Sequence, residues 1–195
     1  MPGVAIGKSM LSGFPGTYAR NGDCVISKYQ VPSTDSSGPA FGAACVLNQS
    51  ATGGTISDAA VAEAAGHTPV MTQGANYCFV GFAVREVKTL LPTTFQAQPQ
   101  LPAIQKYAPG DIADVIERGS VSLVVKDPQG AGWLTGASIW LRLTVNGTYP
   151  SAAVGDLETA DDSGHMLKLT NCFIGQGPAD ANDVVEVVLL SRNTP

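Results

Sequence analysis

The chain has 195 residues, a net charge of −5 and 14% charged residues, with 22 glycines and 13 prolines. That length makes one domain, or one domain plus an arm, with a core large enough to need no staples. The 11 Lys and Arg residues are scattered with no basic run, which argues against direct nucleic-acid binding, and no apolar stretch reaches the roughly 20 residues of a membrane-crossing helix.

Many turns and few solvated helical faces follow from this composition, as in an all-β chain. The sparse charge also points to a surface covered by a partner, or to one built from small Ala, Ser and Thr residues. Residues 1–20 are broken by Gly3, Gly7, Gly13 and Gly16, yet carry Val4, Ile6, Met10, Leu11, Phe14 and Tyr18. Disordered tails lack such apolar residues. The segment therefore reads as an extended arm that orders on a partner or folds back on its own barrel. Residues 21–195 read as a single β-rich domain.

Strand-like runs begin at 24–31, with Val25, Tyr29 and Val31 on one face. The segment 36–42 is a turn, and 43–47 is a short apolar run. Residues 57–66 predict the one short helix, capped by Ser57 and stopped by Gly66. It is too short to stand alone and must pack on something. Residues 79–87 predict a buried strand. Prolines 92, 99, 102 and 109 mark a long surface connection. Two strands follow at 112–118 and 121–126, separated by a glycine break, and Asp127-Pro128-Gln129-Gly130 is a turn. Residues 138–145 alternate cleanly. Ile139, Leu141, Leu143 and Val145 share one face, and Ser138, Trp140, Arg142 and Thr144 the other. Asn146-Gly147 predicts a type I′ hairpin turn after this strand. Runs at 166–174 and 183–190 complete a sandwich or barrel of short antiparallel strands.

Groups that carry chemistry are sparse. The four cysteines, Cys24, Cys45, Cys78 and Cys172, have no CxxC spacing, and no signal peptide is visible; all four are expected to be reduced. GVAIGKS (3–9) has three residues between its glycines where a phosphate-binding loop needs four, and no strand precedes it. Ser163, His165 and Asp161 or Asp162 are close in sequence, but no nucleophile elbow accompanies them. His67 and His165 read as turn-exposed residues. Asp156, Glu158, Asp161, Asp162, Asp180 and Asp183 read as solvated loop carboxylates, since the calcium-loop pattern is missing. Asn48-Gln49-Ser50 and Asn146-Gly147-Thr148 match the glycosylation pattern by chance. No catalytic residue, metal ligand or cofactor is expected. Trp140 stands out as a large apolar ring on a polar strand face, so it should be covered, either by another subunit or by the 89–109 connection.

Four segments, in their order and spacing, carry a family likeness: GFAVREVKT (81–89), PGDIADVIERGSVSLVV (109–125), GASIWLRL (136–143) and LTNCFIGQGPADANDVVEVVLLSRN (169–193), with YA at 107–108 leading the second. Over about 80–193 the chain resembles the structural cement, or capsid decoration, proteins of tailed bacteriophages. The resemblance implies a non-enzymatic virion protein, made in the bacterial host cytoplasm and placed on the capsid exterior. Its implied partners are the major capsid protein and itself, as a homodimer or homotrimer, with no nucleic acid and no membrane. Met10, Leu11, Phe14, Tyr18 and Trp140 are then the candidate contacts to the capsid or a neighbouring subunit. The competing reading is a carbohydrate- or receptor-binding β-sandwich of a phage or bacterium, with Trp133 or Trp140 stacking on a sugar. A third is a β-barrel hydrolase. Residues 1–79 are richer in Cys and Ala than the resemblance explains.

Overall fold

A computed structural model describes residues 15–50, 54–72, 74–84, 106–177, 179 and 182–191, with the backbone alone for 18–23. Among these residues there are nine strands and one helix: β1 (Tyr18–Gln30), β2 (Ala44–Asn48), β3 (Thr55–Asp58), α1 (Ala59–Ala64), β4 (Tyr77–Ala83), β5 (Ile112–Val124), β6 (Ser138–Arg142), β7 (Leu157–Glu158), β8 (Met166–Gln176) and β9 (Val184–Leu189). The order β1-β3-β2-β4-β5 closes on itself, because β1 also pairs with β5. The result is a five-stranded barrel with further strands attached, one of the two all-β solutions that the short strands predict.

The long strand β5 organises everything. Its first half is a barrel stave, with Ile116 opposite Phe82 of β4 on one side and Ile26 of β1 on the other. Gly119 has a φ of 122°, a value that residues with a Cβ rarely adopt, and bends the strand there. Beyond it, Gly119–Val124 pair with β9, and the sheet continues as β9-β8-β6-β7. A parallel bridge between Lys126 and Glu158 brings the chain after β5 back to β7, so this second sheet also curls round. The two strands expected at 112–118 and 121–126 are therefore one bent strand. β3 and β7 are additions, too short to show a period.

The buried residues form two cores, one among the barrel strands and a larger one that barrel strands share with the second sheet. Cys45, Leu47, Ile56, Cys78, Val80, Ala113 and Val115 come from barrel strands and cluster with Val31, Ala83 and Tyr107. The alternate residues of β2 and β4, Ala44, Val46, Phe79 and Phe82, turn the other way. They join Leu123, Ile139, Leu141, Leu169, Ile174, Val185, Val187 and Leu189 in the larger core. Each fully buried Leu, Ile, Val or Phe contributes about 1.5–3 kcal/mol relative to exposure. The switch of faces in β4 uses a bulge against β2 between Cys45 and Val46. Gly81 lies at this bulge, and a Cβ there would stand 2.0 Å from the Ile116 carbonyl oxygen, so only glycine allows the close approach.

Three local expectations change in detail. The helix spans Ala59–Ala64, not 57–66, and its cap is Asp58, whose carboxylate accepts from Ala60 N; Ser57 belongs to β3 and donates to Asp35. Its C-terminal stop does fall at Gly66, whose N–H bonds Glu63 O while His67 N–H bonds Ala62 O. β6 stops at Arg142, and Asn146-Gly147 makes no I′ hairpin. Asn146 instead accepts from Tyr149 N through its carbonyl and from Thr148 N through its side chain. Val145, expected on the apolar face, is 66% exposed.

Candidate functional site

The polar face of β6 holds a cluster of charged side chains that is not solvated. Arg142, on the face opposite Ile139 and Leu141, is fully buried. Its Nε and Nη2 donate to the two oxygens of Glu158, also fully buried, the second bond at 2.9 Å. Its Nη1 donates to Asp162 Oδ2 at 2.9 Å and to the Thr144 carbonyl at 3.3 Å. Asn146 Nδ2 completes the set, 2.8 and 3.1 Å from the two Asp162 oxygens. A guanidinium fork matches a carboxylate bidentately, which makes this pairing strong enough to survive burial. The loops on either side of β7, 143–156 and 159–165, are thereby tied to each other and to Arg142 of β6.

The electrostatics follow from these contacts. Burial pushes the Asp162 carboxyl up, but hydrogen bonds from Arg142 and Asn146, with the Arg142 and His165 charges, hold it below its ordinary value. The hydrogen bonds that Arg142 donates to Glu158, and then to Asp162, outweigh burial and raise its affinity for the proton further. Asp156 is equally committed: it accepts from Lys126 Nζ at 2.7 Å and from Ala153 N at 2.6 Å. Asp156, Glu158 and Asp162 are thus ion-pair partners, a correction to their reading as solvated loop carboxylates. The signal in the sequence was the arginine on a strand face followed by carboxylates 16 and 20 residues later. Nothing local revealed that the intervening loop folds back.

Asp162 and His165 do not form a catalytic pair. His165 Nδ1 lies 2.7 Å from Thr144 Oγ1, and the Asp162 that would orient it faces Arg142. His67 is half-buried and stacked on Tyr77, ring centroids 3.9 Å apart, which corrects its reading as a turn-exposed residue. Among the described residues, no group of three or more His, Cys, Asp or Glu is placed to hold a metal ion. Cys45, Cys78 and Cys172 are buried free thiols, as expected, and Cys24 is half-buried. Burial pushes the Cys45 and Cys172 thiols well above their ordinary range, which suppresses thiolate chemistry.

Of the expected contact residues, Met10, Leu11 and Phe14 lie outside the described residues. The Tyr18 backbone starts β1 and pairs with Val121, so the regular strand begins before residue 20 and before the expected start at 24. Trp140 lies on β6 between Glu158 and Lys168. It shares the face of Arg142, at the rim of the covered patch. It is half-buried, and Lys168 Nζ sits 5.5 Å from its ring centroid. Residues 89–105 of the connection proposed to cover it lie outside the described residues. Trp133 has an internal role: its Nε1 donates to the Val125 carbonyl and its ring packs against the larger core.

The family model described as Structural cement protein (E217 gp24/Pam3 gp6) matches residues 4–190. That reaches far upstream of the 80–193 segment legible by eye, and takes in most of the N-terminal part. A chain in the solved capsid of Myoviridae Phage XM1 is similar in fold, with a TM-score of 0.51 and 16% identity over 96% of this chain and 98% of that one. No curated protein matches the sequence.

Proposed function

Because the chain belongs to the structural cement protein family of bacteriophages, we propose that it binds the outer surface of an icosahedral head and bridges neighbouring major capsid protein subunits. The family match over residues 4–190 carries this reading. The chemistry of the fold supports it. The charges around Arg142 satisfy one another, three of its four thiols are buried, and its two cores share a continuous strand. Such a body suits load-bearing.

The physical effect we propose is linkage. A protein that binds the assembled lattice but not free subunits stabilises the lattice by mass action. Many copies, each spanning a seam between subunits, multiply a modest contact through avidity. Contacts are assigned to the arm, through Met10, Leu11, Phe14 and Tyr18, and to the rim around Trp140. A homodimer or homotrimer on the exterior would present several arms at once. The test is the copy number in purified heads, from quantitative gels. A number comparable to that of the major capsid protein supports the reading, and a few copies per particle overturns it in favour of a tail or receptor-binding role.

A further inference from the structure

Asn146-Gly147 was singled out by the sequence, and the turn that it predicted does not form. Its chemistry remains. An asparagine followed by glycine is prone to deamidation, because no side chain hinders the backbone nitrogen of the next residue. That Gly147 nitrogen attacks Asn146 Cγ, and the new N–C bond expels the side-chain nitrogen as ammonia. The ammonia carries off the amide proton. Water then opens the cyclic imide at either carbonyl, leaving aspartate or isoaspartate.

The fold brings to this site everything needed to hold it shut. Asn146 Nδ2, the leaving group, is bound by both oxygens of Asp162 at 2.8 and 3.1 Å. Asn146 Oδ1 accepts from Thr148 N at 3.0 Å, and the Asn146 carbonyl accepts from Tyr149 N at 3.0 Å. The amide plane and the following turn are therefore fixed together, whereas attack needs the side chain to rotate over the Gly147 nitrogen. Gly147 itself is exposed, and a Cβ there would meet nothing within 4 Å, so packing gives no protection. Asp162 is in turn oriented by the buried Arg142. We propose that Asn146-Gly147 is a deamidation site held closed by Asp162, and that its modification irreversibly unlatches the loop 143–156 from Asp162. Once Asn146 becomes aspartate, its two hydrogen bonds to Asp162 are replaced by a second carboxylate facing the first. Isoaspartate also lengthens the backbone by one carbon and breaks the Tyr149 bond.

The test is peptide mapping of the full chain during incubation in mildly alkaline buffer. Folded wild type is compared with wild type unfolded in urea and with folded Asp162→Ala, in which Glu158 still pairs with Arg142. Breaking two charge-assisted hydrogen bonds before reaction should slow the folded wild type by at least about tenfold relative to the unfolded chain. Asp162→Ala should recover most of the unfolded rate at Asn146. Equal rates in folded and unfolded wild type, or an Asp162→Ala rate no faster than wild type, would overturn the proposal. Should Asp162→Ala not fold, Asn146→Asp decides: it should unfold at a lower temperature than wild type at neutral pH, with a gap that narrows in acid. A gap independent of pH would overturn the unlatching.

Discussion

Arg142→Met is the most informative single change in this fold. The side chain is fully buried, and so is Glu158, its bidentate partner. Methionine fills similar length with no charge, so Glu158 is left as a carboxylate in an apolar interior. Removing one member of a buried ion pair costs about 3–5 kcal/mol, since the remaining charge has lost its partner and has no water to replace it. In a chain of this size each kcal/mol moves the midpoint by about 2–4 °C, so the expected drop is roughly 6–20 °C. The companion variant is Arg142→Met with Glu158→Leu, which removes both charges. Apolar replacement of a buried pair is often neutral, so the double variant should regain much of the loss, short of the part owed to Asp162, which keeps only Asn146. Thermal and urea unfolding followed by circular dichroism measure both, and an unchanged urea slope shows that the unfolded state is the same. A loss under about 1 kcal/mol for the single change would mean that Glu158 reaches water. A double variant as unstable as the single one would locate the cost in packing rather than in unpaired charge.

Other changes follow from the same contacts. Gly81→Ala drives a Cβ toward the Ile116 carbonyl, and should cost about 3 kcal/mol or more by urea unfolding, whereas Gly147→Ala meets open space and should fall within about 0.5 kcal/mol of wild type. Acid should destabilise the fold through Asp127 and Asp162. At Asp127, burial raises the carboxyl, but Thr159 and the N–H groups of Gly132, Ala131 and Gly130 outweigh it; both folded values lie below the ordinary 3.8. Their contribution is present above that value and lost as pH falls through the folded values. Asp58 runs the other way, because burial raises it above 3.8 despite bonds from Ala60 and Ala40; its contribution is present in acid and lost as pH rises through the folded value. Asp58→Asn keeps the helix cap, and should therefore raise the unfolding midpoint at neutral pH but not in strong acid. Deleting residues 2–14 should leave a folded barrel, since the Gly16 and Ser122 backbone bonds remain, while weakening head binding; an unfolded deletion would assign the arm to its own core.

The sequence revealed what depended on local period and hid what depended on distant return. Ile139 and Leu141 were legible as core because alternation on β6 is regular, and both are fully buried. Arg142 lies on the other, polar face of the same strand. It is buried because a segment ending some 20 residues later folds back and supplies Asp162. Likewise Gly119 reads as a break in any one-dimensional view, yet continuous pairing from Ile112 to Val124 turns it into a bend joining two cores. β7 has only two residues, too few to show alternation, and exists through its pairing with β6 and the Lys126 bridge. Of the contact residues, Trp140 was visible as an apolar ring on a polar face, and it keeps a partly open position at the rim of the covered patch.

Stabilisation of the assembled lattice is the central claim, and head disruption measures it directly. Purified heads lacking this protein are titrated with it, and their disruption temperature is followed by light scattering beside the amount bound. Binding should saturate at a fixed number of copies per head, and the disruption temperature should rise with occupancy and level off at the same point. Saturable binding that leaves the disruption temperature unchanged, or no binding to intact heads at all, would contradict a cementing role.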